Sequence, residues 1–140
     1  VSDQIAAILR EPLQGRDTTC GLLPDTPMAV ASVTAVAKAL MKLYGVPNSQ
    51  LPLSRTLNLA SLTVTPAQMV AAVRQAKTGH RIGDVAFGAD KSLQEIVVGW
   101  PSELTSTLAL SLGIQADASV DEIVQDYIDR KFPALAEGAP

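Results

Sequence analysis

Apolar residues recur along this chain at two spacings, and the switches between them divide it into helices and short strands. Val1, Ile5, Ile8 and Leu9 keep the period of a buried helix stripe, and Pro12 with Gly15 closes the run. A helix that opens at residue 1 without a capping residue reads as one entered partway along. Residues 17 to 23 carry a weak strand pattern, followed by the turn Pro24-Asp25-Thr26-Pro27. Ser32 then caps a helix with the apolar face Val33, Val36, Ala37, Leu40, Met41 and Tyr44. Gly45 is expected in the left-handed position that ends this helix, and Pro47 prevents its continuation.

Alternation returns at 55–60, where Leu57 and Leu59 face one way and predict a short strand. Thr65 opens the next helix with several agreeing signals: Pro66 at the first helical position, Gln68 to close a capping box, and Val64 placed to staple onto Met69. That helix runs through Val70, Val73 and Ala76 toward Gly79. A strand is expected within 81–87. A helix follows with Leu93, Ile96, Val97 and Trp100 on one face, and Pro101 stops it. Ser102 is expected to start a short helix carrying Leu104, Leu108 and Leu112, closed by Gly113. Ser119 and Glu122 form a second capping box, ahead of a last apolar face of Val120, Ile123, Val124, Tyr127 and Ile128. The expected organisation is a domain over 1–133 and a frayed tail over 134–140. Strand–helix alternation followed by three helices makes the fold class α/β with a helical end. So few strands do not make a sheet alone, so at least one is expected to complete a sheet whose other strands lie outside the chain.

Composition narrows the function classes. At 140 residues, 47% apolar and 18% charged, the chain fits one globular domain with a real core. A net charge of −3 argues against nucleic-acid binding, which needs clustered Lys and Arg. No apolar run is long enough for a membrane span. The start, Val1-Ser2-Asp3-Gln4, has neither a signal-peptide core nor an initiator Met, which reads as a trimmed or excised chain. Cys20 is the single cysteine, and a cytoplasmic setting is the expectation.

The ordered series Ile8-Leu9-Arg10-Glu11-Pro12-Leu13-Gln14-Gly15, Pro24-Asp25-Thr26, Ser32 with Val36-Ala37-Lys38-Ala39-Leu40, Arg55-Thr56-Leu57-Asn58-Leu59 and Ser61-Leu62-Thr63-Val64-Thr65 has a recognisable pattern. It continues through Ile96-Val97-Val98-Gly99-Trp100-Pro101, Leu110-Ser111-Leu112-Gly113 and Asp117-Ala118-Ser119-Val120-Asp121-Glu122-Ile123. Together these segments resemble the C-terminal portion of the extended short-chain dehydrogenase/reductase family (NAD-dependent epimerase/dehydratase), closest to its D-erythronate dehydrogenase group. The resemblance implies a two-part enzyme. An N-terminal Rossmann part binds NAD through a Gly-rich loop and carries a Tyr-x-x-x-Lys pair, and a C-terminal part closes over a sugar acid. This sequence matches the second part and holds no Gly-x-x-Gly-x-x-Gly. The expectation is therefore a substrate-binding domain without its Rossmann part, binding no NAD and inactive by itself. Its implied partners are a small sugar-acid substrate, the Rossmann part and, in some form, a second copy. The alternatives are a free-standing noncatalytic interaction module derived from such a domain, or part of a nucleotide-sugar epimerase/dehydratase.

Tyr127-Ile128-Asp129-Arg130-Lys131 is a literal Tyr-x-x-x-Lys, but Tyr127 continues an apolar stripe and Lys131 suits a helix C-terminus, so the pair reads as structural. Arg10 is either a helix-end residue bonding the last carbonyls or a bidentate partner for a substrate carboxylate. Asp25 and Thr26 either bond sugar hydroxyls or fold their own turn. Ser2 and Gln4 fall just after the point where the resemblance places a nicotinamide-side loop, and either line the site or belong to a frayed end. Arg55 reads as an edge-strand charge, and Trp100 as a core anchor. His80 has no companion at metal-ligand spacing.

Overall fold

A computed structural model describes residues 2–132, so the tail expected over 134–140 lies outside the described residues. The element order is α1 Ser2–Leu13, β1 Thr18–Cys20, β2 Met28–Val30, α2 Val33–Tyr44, a 3-10 turn Asn48–Gln50, β3 Leu62–Val64, α3 Pro66–Gln75, β4 Val85–Phe87, α4 Lys91–Val98, α5 Thr107–Ser111 and α6 Val120–Lys131. The fold is α/β, and among the described residues six helices surround two short strand pairs. β1 pairs with β4 in parallel, Thr18 opposite Val85, and β2 pairs with β3 antiparallel, Met28 opposite Val64.

Pairs this small are marginal in water, and apolar packing from the helices holds them. Ile8 of α1, Met69 and Val70 of α3, and Leu93 and Val97 of α4 meet Cys20, Met28, Val64 and Val85 of the strands in the main core. A second cluster joins α1, α3 and α6 through Leu13, Ala72, Val73, Val124 and Ile128. The third joins α2 and α5 through Ala39, Ala109 and Ile114. Gly83 permits the closest backbone approach in the fold, since a Cβ there would lie 2.1 Å from the carbonyl oxygen of Arg16.

The capping signals locate the helices well. Thr65 and Gln68 form a complete capping box with Pro66 behind it. Ser32 accepts from the N–H of Ala35, and Ser119 from that of Glu122. The Glu122 carboxylate reaches Ala118 N–H at 2.7 Å, one residue before the expected position.

Several expectations need correction. No strand forms over 55–60: the alternation persists, with Leu57 and Leu59 half-buried against the third cluster, but no ladder partner exists for them among the described residues. Arg55, at φ 55°, is thus not an edge-strand charge. Strand β2, which sequence periodicity did not reveal, is only three residues long. Helix α5 begins at Thr107 because Ser106, not Ser102, accepts from the N–H three residues on. Gly45 ends α2 in the right-handed region, its N–H returning to the last turn's carbonyls. Trp100 is 46% exposed, because α4 buries Leu93 and Val97 and turns Ile96 and Val98 outward. The largest departure is α2. It buries Ala39 through its small residues, and the large face of Val33, Leu40, Met41 and Tyr44 stands in solvent, Leu40 at 62% and Tyr44 at 95% exposure.

Candidate functional site

Helices α1 and α6 flank the start of α2 and leave a cleft of about 370 Å³ between them. On α1, Ile5 and Leu9 lie one turn apart and form floor, while Ser2, Ala6 and Arg10 follow the next row at the same spacing along the edge. On α6, Ile123 and Tyr127 form the facing row, with Asp126 and Arg130 beside them. Val30 of β2, Val33, Met69 and Val120 complete the apolar lining, and Ser32 adds a hydroxyl. The cleft thus has a hydrocarbon floor and a rim carrying two arginines, the Asp126 carboxylate, a phenol and two hydroxyls. That is the usual chemistry of a small-molecule pocket.

The two arginines and the phenol are each held by a neighbour. Arg10 donates from Nη1 to Asp3 Oδ1 at 2.7 Å and from Nε to Glu11 Oε1 at 2.7 Å. Glu11 also receives Arg16 Nε at 2.5 Å on its other oxygen. Hydrogen bonds from Arg16 and then Arg10 hold the Glu11 carboxyl down at about 2. Asp3 and Glu11 raise the Arg10 guanidinium still further, so it is a permanent cation. Arg130 places both Nε and Nη2 at 3.0 Å from Asp126 Oδ2. Tyr127 accepts a hydrogen bond from Gln14 Nε2, which joins the end of α1 to α6 across the cleft wall.

A second recess of about 290 Å³ lies between α2 and the 113–117 loop, and Ser32 and Asp126 line both. There Asp117 binds Ser32 through both carboxylate oxygens, and Lys42 donates to the carbonyl of Gly113 at 3.0 Å.

Of the four residues singled out from the sequence, Ser2 and Arg10 meet in the cleft. Arg10 does not bond the last carbonyls of α1; its hydrogen bonds run to carboxylates instead. Asp25 and Thr26 lie elsewhere, in the turn between β1 and β2. Thr26 is buried and bonded to Gln94 of α4, whose Nε2 donates to Thr26 Oγ1 at 2.8 Å while its Oε1 receives the N–H of Leu23 at 2.9 Å. Asp25 is exposed. Sequence reasoning did not single out Asp126 and Arg130 for the site. Their i, i+4 spacing beside the Ile123–Tyr127 row was the available signal. His80 bonds the carbonyl of Leu13 and meets Phe132 edge-on at 5.1 Å. Burial raises the thiol of Cys20. Among the described residues no group of three or more His, Cys, Asp or Glu is arranged to hold a metal ion, and no helix is long and apolar enough to cross a membrane.

No family model matches the chain. It is 34% identical over 125 residues to D-erythronate dehydrogenase from Cupriavidus necator, covering 89% of this chain and 38% of that protein. D-erythronate dehydrogenase from Haemophilus influenzae is 30% identical over 128 residues, 91% of this chain and 41% of that one. Among solved structures, a GalE-like L-threonine dehydrogenase from Cupriavidus necator superposes with a TM-score of 0.75 at 26% identity, over 91% of this chain and 41% of that one. A nucleoside-diphosphate-sugar epimerase from Agrobacterium tumefaciens reaches 0.82 at 20% identity, over 94% and 39%, a likeness of fold. The chain spans about two-fifths of the length of the curated relatives it matches.

Proposed function

We propose that this chain, which corresponds in sequence and fold to the C-terminal portion of an extended short-chain dehydrogenase/reductase, supplies the substrate-facing wall of an NAD-dependent oxidoreductase acting on a small sugar acid such as D-erythronate. The observation that carries this reading is Arg10. A permanent guanidinium on the rim of a cleft with a hydrocarbon floor is a carboxylate anchor beside a surface for sugar C–H faces. In this reading Arg10 binds the acid group, Ile5 and Leu9 exclude water beneath the carbon chain, and Ser2 and the Tyr127 phenol bond hydroxyls along the rim.

The described residues do not fit the dinucleotide itself. A pyrophosphate needs free amides at a helix N-terminus behind a glycine-rich turn. The parallel pair offers one strand–turn–helix, β4 to α4, whose turn holds the single glycine Gly88. There the amides of Ser92 and Leu93 already donate to the Asp90 carboxylate, at 2.9 and 3.1 Å. A phosphate would meet a negative charge in place of free donors. NAD is accordingly assigned to the part of the enzyme that these residues do not form, and no step of this cleft's chemistry is drawn through it.

Two surfaces support a missing companion. The exposed Val33, Leu40, Met41 and Tyr44 of α2 form a row that a soluble domain seldom leaves bare. The 55–60 segment, packed through Leu57 and Leu59 against the same cluster as Ala39 of α2, has its backbone unladdered among the described residues. A companion of the size implied by the relatives, holding a sheet for that segment to join, would cover both.

The test is an assay of the native gene product with D-erythronate and L-threonine, read by NADH formation, and in parallel with a nucleotide sugar, read by product analysis because epimerisation leaves no net NADH. NADH formed with D-erythronate, and no turnover of the others, is expected. Turnover of one of the others would reassign the substrate. No turnover with any would favour a noncatalytic module.

A further inference from the structure

We propose that Asp3 is a built-in competitor for the substrate's carboxylate at Arg10, one that loosens the cleft's hold on the acid; this rests on the reading of the cleft as the sugar-acid site. The guanidinium has two edges that can take a carboxylate in a bidentate way, one through Nε and one through the paired terminal nitrogens. The Nε edge is closed, because Nε donates to Glu11 Oε1 at 2.7 Å. Glu11 is also fixed from the other side by Arg16 at 2.5 Å, and its side chain is only 20% exposed. The terminal edge is half closed, with Nη1 at 2.7 Å from Asp3 Oδ1.

Asp3 differs from Glu11 in every respect that governs displacement. Its side chain is 80% exposed, and Arg10 is its one ion-pair partner among the described residues. It sits in the first turn of α1, where the helix N-terminus favours a carboxylate even after release. It is also the neighbour of Ser2, which lines the cleft. An incoming carboxylate therefore has to displace Asp3 alone to gain both terminal nitrogens, while Glu11 keeps the guanidinium aimed. A neutral polyol would exchange an ion pair for a weaker hydrogen bond. The displacement cost falls on either ligand alike, so the contact lowers affinity for the acid without occupying the apolar floor.

The experiment is a calorimetric titration of the native gene product with D-erythronate, and with erythritol as the neutral counterpart. It compares the unaltered protein, Asp3→Asn, Asp3→Glu and Arg10→Gln. Asp3→Asn should bind D-erythronate about two- to five-fold more tightly, the range that removing one exposed ion pair supports. Asp3→Glu should keep the competition, and erythritol should remain the weaker ligand in Asp3→Asn, because the freed guanidinium still favours an anion. Unchanged or weaker D-erythronate binding in Asp3→Asn, with binding abolished in Arg10→Gln, would overturn the competitor and leave the site intact. Equal responses in the unaltered protein and Arg10→Gln, or no response in either, would overturn the site reading and the competitor with it.

Discussion

Asp117 receives both hydrogens that Ser32 offers, the backbone N–H at 2.7 Å and the hydroxyl at 2.6 Å, across 85 residues of chain. Ser32 at the same time accepts from the N–H of Ala35 at 2.9 Å, so one buried serine starts α2 and ties it to the loop before α6. Because Ser32 lines both the cleft and the adjoining recess, this tie sets the width between α2 and α6. Asp117→Ala leaves two buried donors without their acceptor and should lower stability by about 2 kcal/mol in urea unfolding. Combined with Ser32→Ala, the loss should be clearly less than the sum of the two single losses.

The capping box at Thr65 gives a local test of how α3 is started. Thr65 Oγ1 accepts from Gln68 N–H, and Gln68 Oε1 accepts from Thr65 N–H at 2.8 Å. Thr65→Ala should cost about 1 kcal/mol, read as a shift of the unfolding midpoint with an unchanged slope. The cleft resonances should be undisturbed at low denaturant.

Acid should weaken the α1 charge network through Glu11. Its carboxyl ordinarily titrates near 4.5 and is held at about 2 by Arg16 and Arg10. A depressed folded value means that the contribution is complete above the unfolded value and is lost as pH falls through the folded one. Stability measured across this window should therefore decline from about 4.5 down to about 2. Glu11→Gln should remove that portion of the decline, and the comparison of the two pH profiles is the check.

The α2 face should decide how the isolated chain behaves. With Leu40 and Met41 largely bare, the isolated chain is expected to self-associate at high concentration in sedimentation velocity. Leu40→Lys together with Met41→Lys should make it monomeric while changing stability by no more than about 0.5 kcal/mol, as surface substitutions do. A large loss of stability in that variant would mean that the face is part of the chain's own core.

Helix positions were legible in the sequence because their signals are local: Thr65-Pro66-Gln68, Ser119-Glu122 and Ser32 each write a helix start within a few residues. Apolar periodicity located α2 but not the side it buries. Small Ala39 enters the core while Leu40 and Met41 do not, and that choice depends on surfaces outside the helix. The 55–60 alternation likewise reports which side of a segment packs, whereas a strand also requires a neighbour. Arg10 and Ser2 could be named because they lie on one short stretch. Asp126 and Arg130 joined them through α6, more than a hundred residues away, a proximity that only the fold creates. Thr26 was a reasonable polar candidate whose partner, Gln94, was equally invisible to local reasoning.

The central claim is that Arg10 anchors the acid group of a sugar-acid substrate, and steady-state kinetics of the native gene product tests it most directly. Arg10→Gln should raise KM for D-erythronate roughly tenfold or more through loss of a charge-assisted bond, with a smaller effect on kcat. Circular dichroism should show the fold retained. An unchanged KM in a folded Arg10→Gln enzyme would contradict the account and place the carboxylate anchor outside this cleft.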